Sequence, residues 1–197
     1  MAEFAHRYLR ERLLRGRIVL LLAVLVLAAG GRDPSPGAIF LLALLVVQFR
    51  MLDDFADRPH DAVAHPHRVT VTHPAAAALR PWALALVVPA GLLLAAGGGW
   101  PGTVGYGALL TGFVTFYAAA GGLPRLWRAQ VVLLKYPAFV LLAAPAQRWP
   151  WAVLAWVLIA LFEILTEPAW RDSPTGRVLI AVGLVVLTLA TLAAWSA

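Results

Sequence analysis

The sequence contains no cysteine and little charge. Without cysteine, a disulfide framework and cysteine-based metal sites are excluded. Only 13% of the 197 residues are charged, whereas a soluble domain carries about 25%. In contrast, 61% of the residues are hydrophobic, and the mean hydropathy is +0.80. The composition excludes an ordinary soluble domain and indicates an integral membrane protein.

The apolar runs are continuous, which predicts transmembrane helices, each needing about 20 mostly apolar residues. Proline and glycine punctuate most of the gaps between these runs, and Pro89 and Pro137 are expected to kink the spans that contain them. We expect one all-α transmembrane helix bundle over residues 1–197. Its seven predicted spans are 18–31, 37–52, 82–99, 103–120, 127–146, 149–166 and 178–197.

Residues 1–17 hold five arginines with apolar and aromatic residues between them. This pattern predicts a basic amphipathic segment lying at the cytoplasmic membrane surface. The alternative is a signal peptide, because a basic start, an apolar run at 18–31 and small residues follow one another. The next apolar run begins almost at once, which favours a retained helix.

The arginines predict the orientation of the chain. With the N-terminus in the cytoplasm, thirteen arginines fall in cytoplasmic segments, and only Arg32 and Arg148 lie on the other side. Cytoplasmic loops carry the excess of basic residues. We therefore expect a multi-pass protein of an inner or plasma membrane, with its acidic loops in the cytoplasm. Because the arginines flank apolar segments, the net charge of +6 does not indicate nucleic-acid binding.

Four of the ten acidic residues lie within nine residues, at Asp53, Asp54, Asp57 and Asp61. If the second helix continues past the membrane surface, the last three share one helix face. Carboxylates on one face repel one another unless a cation neutralises them, and oxygen-only ligands suit Mg²⁺. The stretch is thus predicted to bind Mg²⁺. The alternative is a solvated polar loop.

Several basic and polar residues are candidates for binding a diphosphate. Arg50 and Arg68 bracket the aspartates, and guanidinium groups bind phosphates bidentately. Lys135, the single lysine, lies within an apolar span, where a charged residue is a functional candidate; Tyr136 is beside it. A shallower Lys135 that snorkels to the surface is the alternative. The spacing of the nearby histidines matches no zinc pattern.

The acidic stretch resembles the first aspartate-rich motif of the UbiA-type membrane prenyltransferases, NDxxDxxxD, with Asp53 in the asparagine position. As in that family, it comes at the cytoplasmic end of the second helix. The family's second motif, DxxxD, lies between its sixth and seventh helices, where this chain has Glu163 and Glu167. The resemblance covers roughly residues 15–197.

The resemblance implies a UbiA-like bundle that transfers a prenyl group from a polyprenyl diphosphate to an aromatic or other lipid-soluble acceptor. Mg²⁺ is the implied cofactor. The implied metal ligands are Asp53, Asp54, Asp57, Asp61, Glu163 and Glu167, and all but Asp53 are implied to be catalytic. The implied diphosphate-binding residues are Arg50, Arg68, Lys135 and Tyr136.

The chain departs from the family in two ways. Glutamates replace the aspartates of the second motif, and seven helices are predicted where the family usually has nine. The implied cavity would then be open to membrane lipid, or be closed by a partner or by a second copy of the chain. A non-catalytic relative that binds prenyl lipid or supports a partner enzyme is therefore the main alternative. The chain lacks the upstream residues that a CDP-alcohol phosphotransferase requires. A structural membrane protein is the remaining alternative.

Overall fold

The computed structural model describes residues 1–31 and 33–196, which form helices and turns without any strand. The all-α prediction is therefore confirmed. The helices are α1 (Ala2–Tyr8), α2 (Gly16–Gly30), α3 (Pro36–Ala56), α4 (Arg58–Ala64), α5 (Val69–Thr72), α6 (Leu79–Ala85), α7 (Val87–Ala119), α8 (Arg125–Leu133), α9 (Lys135–Ala143), α10 (Trp149–Thr166), α11 (Pro168–Arg171) and α12 (Pro174–Ser196). A π-helical turn covers Leu9–Leu13, and 3-10 turns cover Pro74–Ala78, Ala120–Gly122 and Ala146–Arg148.

Among the described residues, five helical segments are long and apolar enough to cross a membrane, and the chain is accordingly an integral membrane protein. They are Pro74–Gly97, Gly99–Gly122, Arg125–Ala143, Ala146–Thr166 and Pro174–Trp195. The pair Ala2–Leu13 and Gly16–Gly30, bent by 67°, makes a sixth if it counts as one span.

The described residues of all seven predicted spans are mostly helical, but the count of seven exceeds the five or six segments that could cross a membrane in the described part of the chain. The 15 residues of α2 rise only about 22 Å, which is less than the ~30 Å hydrocarbon core. The helix α3 is not among the five. Arg32 and Ala197, which the sequence places outside the cytoplasm, lie outside the described residues.

The helix is interrupted next to both prolines that were predicted to kink it. The helix breaks at Leu86, three residues before Pro89, and at Leu134, three residues before Pro137. A proline has no N–H to donate to the carbonyl four residues earlier, so the helix loosens there. A further break lies at Gly99, whose φ of 62° favours glycine.

The helix α3 lies at the centre of the bundle, in contact with α2, α6, α7 and α9. Leu42, Leu45 and Phe49 are fully buried. Gln48, also fully buried, donates to the Ala83 carbonyl at 3.1 Å and accepts from the Tyr106 hydroxyl at 2.8 Å. Because lipid tails are as apolar as leucine, close packing and such interhelical hydrogen bonds hold membrane helices together.

Part of the apolar side of the N-terminal segment packs against protein, while the predicted position of this segment at the membrane surface stays a prediction. Phe4 and Tyr8 are almost fully buried. The Phe4 ring lies 5.1 Å from that of His73 and 5.6 Å from that of Trp82. The segment therefore covers one end of the bundle beside α3.

Candidate functional site

The acidic stretch is largely buried and lies at the C-terminal end of α3. Asp54 and Asp61 are each 2% exposed, and Asp53 is 8% exposed. This burial is inconsistent with a solvated polar loop. The helix breaks at Asp57, because Pro59 has no N–H for the Phe55 carbonyl. The Asp57 N–H nevertheless donates to the Asp53 carbonyl and the Asp61 N–H to the Asp57 carbonyl, both at 2.8 Å. The predicted stripe of aspartates therefore stays a prediction, while the carboxylates contact different parts of the chain.

Asp54 is held by the N-terminal segment and by its own helix. It accepts hydrogen bonds from the Tyr8 hydroxyl at 2.9 Å and from the Arg12 Nε at 3.0 Å. The Arg12 terminal nitrogen contacts its other oxygen. Arg50, one turn earlier in α3, forms an ion pair with Asp54 at 3.2 Å. Two guanidinium groups thus surround one buried carboxylate.

Asp53 faces the opposite side and pairs with Lys135, the first residue of α9. The Tyr117 hydroxyl near the end of α7 donates to the other Asp53 oxygen. Lys135 is only 1% exposed, so it does not snorkel to the surface. Its ammonium also lies 5.4 Å from the centre of the Tyr136 ring.

The remaining two aspartates pair with separate arginines. Asp57 is half exposed and contacts Arg128 of α8 at 3.1 Å. Partial burial, and next the charge of Asp53, raise the pKa of the Asp57 carboxyl above its usual range. Asp61 of α4 contacts Arg68 at 2.5 Å, while its second oxygen is buried without a hydrogen-bond partner among the described residues.

We call these nine side chains the ion network. Its members are Asp53, Asp54, Asp57, Asp61, Arg12, Arg50, Arg68, Arg128 and Lys135. Burying ion pairs costs desolvation energy, and well-packed apolar residues are often equally stabilising. Charged groups within a membrane bundle are therefore functional candidates.

The ion network contains oxygen donors of the type that Mg²⁺ prefers, including the unpartnered oxygen of Asp61. However, each aspartate contacts a base, and no three carboxylate or imidazole groups among the described residues converge to hold a metal ion. As arranged in this structure, these residues do not fit a Mg²⁺ centre. This arrangement does not test metal binding itself. The predicted magnesium ligands stay a prediction, as does the absence of a zinc site.

The two glutamates of the predicted second motif lie near the end of α10. Glu163 is partly buried and lies within electrostatic range of Tyr136. Glu167 follows α10 and caps the short helix α11. In the described part of the chain, neither side chain has a hydrogen bond or ion pair to the ion network. The structure thus places Glu163 near Tyr136 but does not join the two motifs.

An apolar groove of about 340 Å³ lies between α7 and the α8–α9 pair. Two of its lining residues, Phe116 and Leu134, directly precede Tyr117 and Lys135, which contact Asp53. The Phe113 ring lies 6.0 Å from the Tyr117 ring. The groove therefore neighbours the ion network at Tyr117, whose ring lies beside Phe113 and whose hydroxyl donates to Asp53. Its lining residues are Ala108, Leu109, Gly112, Phe113, Phe116, Val131 and Leu134.

Four residues that contact the aspartates were not predicted from the sequence. Arg12 is one of five arginines in the N-terminal segment, and nothing distinguishes it from the others. Tyr8 and Arg128 likewise follow no motif. Tyr117 has a hydroxyl within an apolar span, which is the only sequence feature that would have suggested it.

Comparison of the chain with models of known families, with curated proteins and with solved structures finds no match.

Proposed function

We propose that this chain is a membrane prenyltransferase of the UbiA type. It would transfer a prenyl group from a polyprenyl diphosphate to an aromatic or other lipid-soluble acceptor. The observation that carries the proposal is the position of Tyr117, which contacts Asp53 of the ion network and lies beside Phe113 of the apolar groove. A polyprenyl diphosphate has the same two parts, a charged head and an apolar tail.

The bases of the ion network are the groups that suit the diphosphate. Guanidinium forks bind phosphate oxygens bidentately, and Lys135 adds a point charge. Five bases contact only four aspartates. A diphosphate can therefore displace aspartate carboxylates from these bases and supply the negative charge in their place. The groove volume of about 340 Å³ lies within the ~300–1,000 Å³ of small-molecule sites.

With the head in the ion network and the tail in the groove, the allylic C–O bond lies near Tyr117 and Lys135. When this bond breaks, the diphosphate leaves with the bonding electrons, and nearby bases stabilise the developing charge. The prenyl carbon then bonds to an electron-rich atom of the acceptor, which releases a proton. No step is assigned to Mg²⁺, since the residues as arranged do not fit the ion.

The test is diphosphate release from a labelled polyprenyl diphosphate by the purified full chain in lipid discs, with an acceptor mixture, with and without Mg²⁺. We expect release by the wild type and loss of at least tenfold in Arg50→Gln, which removes a guanidinium of the ion network. The matched control is Arg171→Gln, because the Arg171–Asp172 pair is exposed and lies outside the ion network. Equal release by Arg50→Gln and the wild type would contradict the proposal.

The second candidate is a non-catalytic relative that binds prenyl lipid or supports a partner enzyme. It is favoured by the absence of a converging metal site among the described residues, where every network aspartate contacts a base. In the same assay, tight lipid binding without any release of diphosphate would support this second function.

A further inference from the structure

A second cavity, of about 90 Å³, lies between α8, α10 and α12. It is separate from the apolar groove, whose lining includes none of its residues. Most of its lining is aliphatic, but Gln130 and Trp156 also contribute. The full lining is Gln130, Trp156, Val157, Ala160, Leu161, Ile164, Leu179, Val182, Gly183 and Val186.

The two polar residues of this cavity share an unusual feature. The Gln130 Nε2 and the Trp156 Nε1 atoms are both buried, and neither has a hydrogen-bond partner in the described part of the chain. Both nitrogens are donors only. A buried donor without an acceptor is costly, and native proteins satisfy nearly all such groups. Two such donors on the wall of one cavity indicate a missing acceptor.

We propose that this cavity binds the carbonyl oxygen of a small, membrane-soluble molecule, which accepts hydrogen bonds from Gln130 and Trp156. A carbonyl oxygen has two lone pairs and no hydrogen to donate, so it satisfies both donors and needs nothing else from the aliphatic walls. A water molecule is the competing occupant, since it can accept from both donors and donate to the Gln130 amide oxygen, and the titration below separates the two.

The cavity extends from Ile164, two residues before the end of α10, to Trp156, ten residues before that end. The latter separation corresponds to about 15 Å along the helix axis, so the position of the Trp156 donor argues against the ester carbonyl of a bilayer lipid. Lipid esters lie at the interface, whereas a free ketone or quinone dissolves in the hydrocarbon core. The proposal does not depend on prenyl transfer, because the ion network and the groove share no residue with this cavity.

The test uses two small ligands of almost the same shape, cyclobutanone with a carbonyl group and methylenecyclobutane without one, because the cavity measures only about 90 Å³. The full chain, with ¹⁵N-labelled tryptophan indoles, is titrated with each ligand in lipid discs. We expect cyclobutanone to shift the Trp156 indole N–H resonance downfield and to bind about tenfold more tightly than methylenecyclobutane, as two neutral hydrogen bonds imply.

Variants locate the binding. Trp156→Phe identifies the resonance, and Gln130→Leu should remove most of the preference for the ketone. Trp151→Phe, at a partly exposed position of the same helix, should keep the preference for the ketone. Phe113→Leu in the apolar groove should keep this preference as well. Equal affinity for both ligands, no response of Trp156 to the ketone, or an indole N–H already bonded to water would overturn the proposal.

Discussion

Replacing Lys135 with methionine tests whether the ion network is formed as described. Methionine keeps the length and apolar stem of the side chain but removes the ammonium that contacts Asp53. The carboxylate would then stay buried with the Tyr117 hydroxyl as its remaining partner. Removing one partner of a buried ion pair costs about 3–5 kcal/mol. We expect Lys135→Met to destabilise the protein by that amount.

The double variant Asp53→Leu/Lys135→Met should be far less destabilised than the single one. Replacing both charges with apolar groups is neutral or stabilising by about 1–4 kcal/mol. The Tyr117 hydroxyl loses its acceptor, at a cost of about 1–3 kcal/mol. These contributions nearly cancel, so the double variant should lie close to the wild type in stability.

The assay is reversible unfolding in mixed micelles with increasing sodium dodecyl sulfate, followed by far-ultraviolet circular dichroism. The four proteins of the double-mutant cycle give the coupling energy between the two positions. A coupling energy below about 1 kcal/mol, the range of an exposed pair, would refute the buried Asp53–Lys135 pair. So would a double variant as unstable as the sum of the single changes.

Three further predictions concern other parts of the site. Arg12→Gln should lower the free energy of unfolding by about 2–3 kcal/mol, since it removes charged hydrogen bonds to Asp54. It should also raise the rate of hydrogen exchange across residues 2–13. The control is Arg7→Gln, because Arg7 belongs to an exposed ion pair. The raised pKa of Asp57 means that the folded protein keeps this proton to higher pH than the unfolded chain. The stability that this proton contributes is greatest below the ordinary value near 3.9 and is lost as pH rises through the raised pKa, so the difference in Tm between wild type and Asp57→Asn should fall from about pH 3 to about pH 6. Phe116→Ala should weaken binding of a polyprenyl diphosphate without changing binding of inorganic diphosphate, measured by calorimetry.

The helices of this fold were predictable because apolar runs and proline positions act locally. Pro89 and Pro137 each break a helix three residues earlier, as the missing N–H dictates. The break at Asp57 was missed, although Pro59 follows the same rule. The spacing of the aspartates was interpreted as one helical stripe, and that interpretation omitted the proline.

The partners of the aspartates were not predictable, because they depend on tertiary packing. Arg12 precedes Asp54 by 42 residues, and Lys135 follows Asp53 by 82. The burial of the N-terminal segment decides the first contact. The contact between Lys135 and Asp53 coincides with the break in the helix before Pro137, after which α9 begins at Lys135. Arg50, Arg68 and Lys135, which the sequence predicts to bind diphosphate, each contact an aspartate in the structure, and their role in binding stays a prediction.

The central claim is that the ion network binds the head of a polyprenyl diphosphate. The most direct measurement is equilibrium binding of a polyprenyl diphosphate, and of the matching polyprenol, to the wild type and to Asp53→Leu/Lys135→Met in lipid discs. We expect the wild type to bind the diphosphate at least tenfold more tightly than the polyprenol, and the folded double variant to lose this preference. Equal binding of both lipids by the wild type, or an unchanged preference in the double variant, would contradict the central claim.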